Sequence, residues 1–399
     1  MPPIRRLALT MLALVLIAPA SFGDGPEIAG KVRPFVERGT LAGAVMLVAS
    51  PDEVLALEAV GFSDVGSRAP MRVDSLFWIA SMNKAMTAAT LMMLVDEGKV
   101  GLDDPAEKHL PEFRGQMRVV ERDANLLVLK KPARPIRVRD LLSHTSGLIG
   151  RSPLERELDM LPIREGVITY ALTPLQVEPG TRYQYNNPGI TTIGRIIEVV
   201  SGKPYEVFLQ ERLLDPLGMK DTTFWPDEAG SRRLAKAYKP GPGRSGLAET
   251  TIAQLTHPLT DRTRRHPYPG GGLFSTASDV GSFCRMILNG GTAPGGRRLL
   301  SESSVREMTS TQTGDLLDVG KGEKGYGLGW NTTRKSPGPS GPAVPGTCSH
   351  GGALATQMAV DPGRRLVTVF LVQHDGYPGD GDRAYPAFVK AAEEAFARP

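Results

Sequence analysis

The stretch Ala80-Ser81-Met82-Asn83-Lys84 runs on into Ala85-Met86-Thr87-Ala88-Ala89-Thr90-Leu91-Met92-Met93-Leu94-Val95, and Lys84 is the only charge between Ser81 and Asp96. Residues three apart share a helix face, so Ser81 Oγ and the Lys84 amine can meet. A helix from about Ser81 to Glu97, stopped by Gly98, is apolar nearly all round, and such helices are buried. Burial lowers a lysine's pKa and lets its amine accept a proton. That is the help a serine nucleophile needs. Ser-x-x-Lys is common by chance, however, so the pair has to be read with the rest of the chain.

Outward from this helix, Gly43-Ala44-Val45-Met46-Leu47-Val48-Ala49 reads as a strand. Val54 to Val60 is its hairpin partner across Ser50-Pro51-Asp52. Strands are also expected at about Ala353 to Val360 and Leu366 to Gln373, joined by the turn Asp361-Pro362-Gly363-Arg364. A last helix runs from about Ala384 to Ala397. Between the termini the chain reads mostly helical. Ile190 to Val200, Tyr205 to Leu214 and Ser278 to Asn289 are helices by period, the last capped by Ser278 or Ser275 and stopped by Gly290. Pro240-Gly241-Pro242-Gly243 and Ser336-Pro337-Gly338-Pro339 are loops. A hairpin is inserted at about 117–138, with strands Met117-Arg118-Val119-Val120 and Leu126-Leu127-Val128-Leu129 around Asp123-Ala124-Asn125. The fold class is therefore α/β (α+β): an antiparallel sheet from both termini, flanked by helices, with a mostly helical lobe inserted. The sheet lobe spans about 24–80 and 315–399, and the helical lobe about 81–314.

Residues 1–23 have the order of a secretory signal: Arg5-Arg6, the uncharged stretch Leu7 to Ile17, then small residues to Gly23. That stretch is too short to span a bilayer. Cleavage is expected after Ala20 or Gly23, giving a secreted or periplasmic protein with no membrane span. Losing two arginines takes the formal charge from +4 to +2. Such a balance names no partner and does not suit nucleic acid, which wants a basic face. Cys284 and Cys348 either pair or remain as two buried thiols; their spacing does not decide. His109, His257, His266 and His374 show no metal-ligand spacing, and no metal or cofactor is implied. There is no Gly-x-Ser-x-Gly elbow. Oligomeric state is not legible.

Two further elements give the Ser81-x-x-Lys84 pair its company. Tyr185-Asn186-Asn187-Pro188-Gly189 is turn-rich and precedes a helix; a tyrosine hydroxyl there can relay a proton and an amide can hold a carbonyl. His350-Gly351-Gly352-Ala353 enters a predicted strand, whose N–H groups can serve as oxyanion donors. Taken singly, these are a turn and a loop. In this order and context they form a constellation.

With these residues the chain resembles the β-lactamase-related serine hydrolases: class C β-lactamases, D-alanyl-D-alanine carboxypeptidases and the esterases of the same fold. The resemblance covers most of the mature chain. It is carried by Phe77 to Lys84, Leu102-Asp103-Asp104-Pro105, Leu141-Leu142-Ser143-His144-Thr145-Ser146-Gly147-Leu148, Pro179-Gly180-Thr181 and Tyr185-x-Asn187. It continues in Gly271 to Asp279, Gly325-Tyr326-Gly327-Leu328-Gly329-Trp330 and His350-Gly351-Gly352. It implies a β-lactamase/transpeptidase-like fold. It also implies that Ser81 forms an acyl-enzyme, that Lys84 and Tyr185 move the protons, and that Asn187 positions the substrate. The Ser81 and Ala353 N–H groups would make the oxyanion hole. His144 is implied to be structural. Glu178, in a Glu-Pro-Gly turn, is not needed as a base.

His350 stands where class C β-lactamases carry the lysine of a Lys-Thr-Gly motif, and Gly351 replaces the threonine. Losing that hydroxyl speaks against efficient β-lactam hydrolysis. His350 is expected either to anchor a substrate carboxylate when protonated or to shape the strand entry. The expected substrates are a cell-wall D-alanyl peptide or a small ester. The alternatives are a β-lactam hydrolase of class C type and a non-catalytic protein that binds peptidoglycan or a partner.

Overall fold

The computed structural model describes residues 27–152, 154–156, 159–316, 324–333 and 346–396. The expected leader and the loop Ser336-Pro337-Gly338-Pro339 lie outside them. Eight strands of the described residues form one antiparallel sheet. Its order is Lys324–Tyr326, Asn331–Thr333, Cys348–Gly351, Gln357–Asp361, Leu366–Leu371, Gly43–Ala49, Val54–Asp64, Ala69–Pro70. The two ends of the chain meet in register from Val45 opposite Leu371 to Ala49 opposite Val367.

Gly43–Ala49 has no polar face, and the packing explains why. Val45, Leu47 and Ala49 join Val367, Val369 and Leu371 in the main core. Ala44, Met46 and Val48 join Leu366 and Phe370 under the terminal helices Ala29–Glu37 and Ala384–Phe396. An antiparallel sheet usually wets one face; the central strands Gly43–Ala49 and Leu366–Leu371 are covered on both, and each fully buried Val or Leu contributes about 1.5–3 kcal/mol. Helix Ala277–Leu288 presses so close that a Cβ at Gly281 would lie 2.8 Å from Leu47 Cδ1. Its cap is Thr276, which accepts the Asp279 N–H at 3.3 Å, and neither Ser275 nor Ser278 fills that role. Ser275 is instead paired in the short strand Phe274–Ser275.

In the helical lobe, a 3-10 turn, Ala80–Met82, leads into helix Asn83–Asp96, whose residues Asn83 to Leu94 are all buried. Gly98 ends it at φ +69°. Helix Asn187–Ser201 starts three residues earlier than the apolar period predicts, because Asn186 caps it and Pro188 occupies its first turn. Tyr205–Leu209 continues into a π-helical turn, Gln210–Leu214. The inserted hairpin pairs Arg118–Arg122 with Leu127–Lys130, and its root is tied down by Arg118 to Glu178 at 2.6 Å. The Pro240–Gly243 loop proves to be the bend of a small hairpin, Ala237–Pro240 with Leu247–Thr250.

One expected boundary is corrected. The strand placed at Ala353 to Val360 begins at Gln357. His350 and Gly351 belong to the preceding strand, Cys348–Gly351, and Ala353 is exposed in the turn between the two. The polar backbone of a tight turn, closed by Gly352 N–H to Thr356 O at 2.8 Å, interrupts what reads as one apolar run. Cys284 and Cys348 are free and buried, and burial raises both thiol pKa values.

Candidate active site

Ser81 sits where the sheet side meets the buried helix. The residue before it, Ala80, is held at φ +45°, a conformation unfavourable for any residue with a Cβ and typical of strained functional turns. Ser81 is half-buried, in the first turn of the 3-10 segment, where a backbone N–H has no intrahelical acceptor. Backbone crowds this turn from two sides. A Cβ at Gly352 would lie 2.6 Å from Ile79 O, and one at Gly271 would lie 3.2 Å from the Ala80 carbonyl carbon. Only glycine lets the end of the His350 strand approach the Ser81 turn so closely.

Lys84 is fully buried. Its Nζ lies 2.9 Å from Ser81 Oγ and donates to Gly270 O at 2.5 Å. Burial lowers its pKa from 10.5 to about 7. A neutral amine here can donate to Gly270 O and still offer its lone pair to the Ser81 hydroxyl. The ring of Tyr185 faces it, with Nζ 4.9 Å from the centroid. Tyr185 is 43 % exposed. Packing about its hydroxyl raises the pKa to about 12, and a hydrogen bond to Ser81 opposes that rise. The serine therefore has a lysine and a tyrosine as polar neighbours.

Asn187 opens helix Asn187–Ser201, and its Oδ1 is buried without a hydrogen-bond partner in the described structure. A Cβ at Gly270 would lie 3.2 Å from that Oδ1, so Asn187 borders the carbonyl that receives Lys84. His350 is placed differently from a carboxylate anchor. It is buried, its Nε2 is 3.1 Å from the Tyr326 hydroxyl, and its Nδ1 is 2.8 Å from Gly351 O. Gly351 O can only accept, so Nδ1 carries the proton and Tyr326 donates to Nε2. Burial, then the nearby Lys84, lowers its pKa to about 3. The ring is neutral and both nitrogens are engaged. The strand-shaping role is the one this geometry supports.

A layer behind the site escaped sequence reasoning. Asn83 Nδ2 and Thr87 Oγ1 donate to Pro269 O at 3.0 and 2.9 Å, and Thr87 Oγ1 is 2.6 Å from the Tyr205 hydroxyl. This network fixes the carbonyl next to Gly270, and so the seat of Lys84. The signal was present: Asn83 and Thr87 are i,i+4 polar residues on an otherwise apolar helix. Gly329, at φ +76°, lets the segment before Trp330 lie against the other side, where a Cβ would be 2.8 Å from Lys84 O. Among the described residues, no three His, Cys, Asp or Glu side chains gather as metal ligands, and no helix is long and apolar enough to cross a membrane.

The Ser81 turn wedged between an antiparallel sheet and a helical lobe, with an adjoining Ser-x-x-Lys helix, fits the architecture of β-lactamase-fold serine hydrolases. The chain belongs to the Beta-lactamase family, whose signature matches residues 28–393. It is 35 % identical over 377 residues to Protein Rv1367c of Mycobacterium tuberculosis, covering 88 % of this chain and 90 % of that one. It is 31 % identical over 316 residues to Penicillin-binding protein 4 of Amycolatopsis lactamdurans, covering 78 % and 76 %. Among solved structures, EstCE1, a hydrolase with promiscuous acyltransferase activity, superposes with a TM-score of 0.76 over 92 % of this chain and 97 % of that one, at 23 % identity.

Proposed function

We propose that this protein is an exported serine hydrolase that opens an ester or amide carbonyl through an acyl-enzyme. The observation that carries the reading is the fully buried Lys84 amine, 2.9 Å from Ser81 Oγ, with its pKa brought to about 7. Neutral Lys84 takes the Ser81 proton as Oγ attacks the carbonyl carbon. The tetrahedral oxyanion is held by the N–H groups of Ser81 and Ala353. Collapse releases the alcohol or amine, which leaves with a proton delivered through Lys84 and Tyr185. Water then attacks the acyl-Ser81 ester, gives its proton to the same pair, and frees the acid and the serine. Asn187 orients the acyl group.

The small-ester reading is favoured over carboxylate-bearing D-alanyl peptides and β-lactams. A neutral His350 with both nitrogens occupied gives a carboxylate no charge to pair with, and Gly351 brings no hydroxyl. Relatives named as penicillin-binding proteins keep the peptide in the test. The leader-like residues 1–23 motivate the export reading. A panel of nitrophenyl esters, a chromogenic cephalosporin and a D-alanyl-D-alanine peptide, run beside fluorophosphonate labelling and intact-mass analysis, tests both parts. Turnover is expected on the esters first. A folded protein that takes no adduct on Ser81 would favour the non-catalytic binding role instead.

A further inference from the structure

The backbone N–H groups on either side of Tyr185 are both taken by a single residue. His144 O accepts the Gln184 N–H at 2.8 Å, and His144 Nδ1 accepts the Asn186 N–H at 3.3 Å. These two bonds flank Tyr185 in the chain. The imidazole also lies against the tyrosine, with ring centroids 4.4 Å apart at 47°. On its far side the segment is tied to a helix: Asn186 Oδ1 accepts the Gly189 N–H at 2.8 Å, and Asn186 Nδ2 donates to Gln184 O at 2.8 Å. The backbone N–H groups of Gln184 and Asn186 thus both go to His144, while the Asn186 side chain joins the segment to the first turn of helix Asn187–Ser201.

His144 is itself constrained. It is fully buried and sits at φ +59°, where a non-glycine residue persists only if its surroundings demand it. Because Nδ1 accepts, a neutral ring carries its proton on Nε2, and Nε2 has no hydrogen-bond partner in the described structure. Tyr326 covers the ring as well, at 4.7 Å between centroids. Burial, then Lys84 and His350, hold the imidazole pKa well below its ordinary value. Its one acceptor faces the tyrosine segment, so it is not built as a base toward Ser81.

We propose that His144 is a positioning residue that sets the reach of the Tyr185 hydroxyl to Ser81, acting through the two backbone N–H groups on either side of that tyrosine. This rests on the acyl-enzyme reading. Asparagine tolerates positive φ and brings Oδ1 to the place of Nδ1. His144→Asn should therefore keep ester turnover within about threefold of wild type. His144→Leu fills the space without an acceptor, and should lower kcat about 10²-fold with KM nearly unchanged. In a Tyr185→Phe background the same His144→Leu change should cost less than about threefold, since the hydroxyl it aims is gone. If His144→Leu does not fold, His144→Gly, which accepts the backbone conformation and lacks the acceptor, takes its place. Equal losses in the wild-type and Tyr185→Phe backgrounds would overturn the positioning role, as would full activity in His144→Leu. A wild-type protein unlabelled at Ser81 overturns the acyl-enzyme reading and this inference together; a labelled wild type with an equally fast His144→Leu overturns this inference alone.

Discussion

Lys84 Nζ lies 2.9 Å from Ser81 Oγ and at the same time 2.5 Å from the Gly270 carbonyl oxygen, and among the described residues no carboxylate pairs with it. A carboxylate neighbour would hold the lysine charged; a carbonyl orients it and leaves burial free to lower its pKa to about 7. Activity should follow the neutral amine. Acylation of Ser81 is expected to rise with pH through an inflection near 7 and then level off. Lys84→Met should lower the rate by about 10³-fold or more while keeping the fold. Single-turnover labelling followed by intact mass across pH 5 to 9 checks both.

The seat of Lys84 is built by the Asn83, Thr87 and Tyr205 network on Pro269 O. Thr87→Val removes the donor to Pro269 O and leaves the Tyr205 hydroxyl short of a partner in a buried site. Breaking such a bond costs about 1–3 kcal/mol. Denaturant midpoints should show that loss. The pH inflection of acylation should shift with it, because Gly270 O no longer holds the amine in one place. An unmoved inflection would separate this network from the site.

Much of this was legible in the sequence because it is local or periodic. The Lys84 helix stands out as a single charge in an apolar run, and the Gly43–Ala49 strand as an unbroken one. What was not legible depends on partners far away in the chain. His350 reads as a possible cation until Tyr326, from a different strand, donates to its Nε2 and the fold buries it. The Pro269 carbonyl becomes part of the site only because helix residues 182 and 186 positions earlier bind it. Ala353 reads as strand because alternation does not reveal where a tight turn interrupts an apolar run. Thr276 is the cap because Ser275 is paired with Phe77 in a short strand and Ser278 already lies inside the helix.

Glycine at 352 is a steric requirement of the site. A Cβ there would overlap Thr356 Oγ1 and stand 2.6 Å from Ile79 O, two residues before Ser81. Gly352→Ala is expected to push the turn that carries Ala353 away from Ser81. Overpacking of this kind costs about 1–3 kcal/mol, and ester turnover should fall by at least about tenfold. Gly150→Ala is the control, since a Cβ there meets nothing within 4 Å. Turnover and thermal midpoints of the two variants, measured side by side, check the contrast.

The protein should also be sensitive to acid below the range where ordinary histidines titrate. Burial lowers His350 to about 3 and His374 to about 4, and holds His144 well below its usual value. In the unfolded chain these side chains take up protons near pH 6.5, while in the fold they stay neutral. The unfolded state therefore binds more protons between about 4 and 6.5, and stability falls as pH drops through that window. Asp279 works in the opposite direction: burial raises its pKa to about 6, so it favours the fold slightly as pH falls from 6 toward 3.8. Burial also raises Glu155, Glu206 and Glu393 in the same sense, but by less than Asp279, so the three histidines set the sign. Urea midpoints should decline steadily from pH 7 to pH 4.5, and His374→Gln, a site away from Ser81, should flatten part of that decline. A midpoint that holds constant over this range would mean that the three imidazoles are not neutral in the fold.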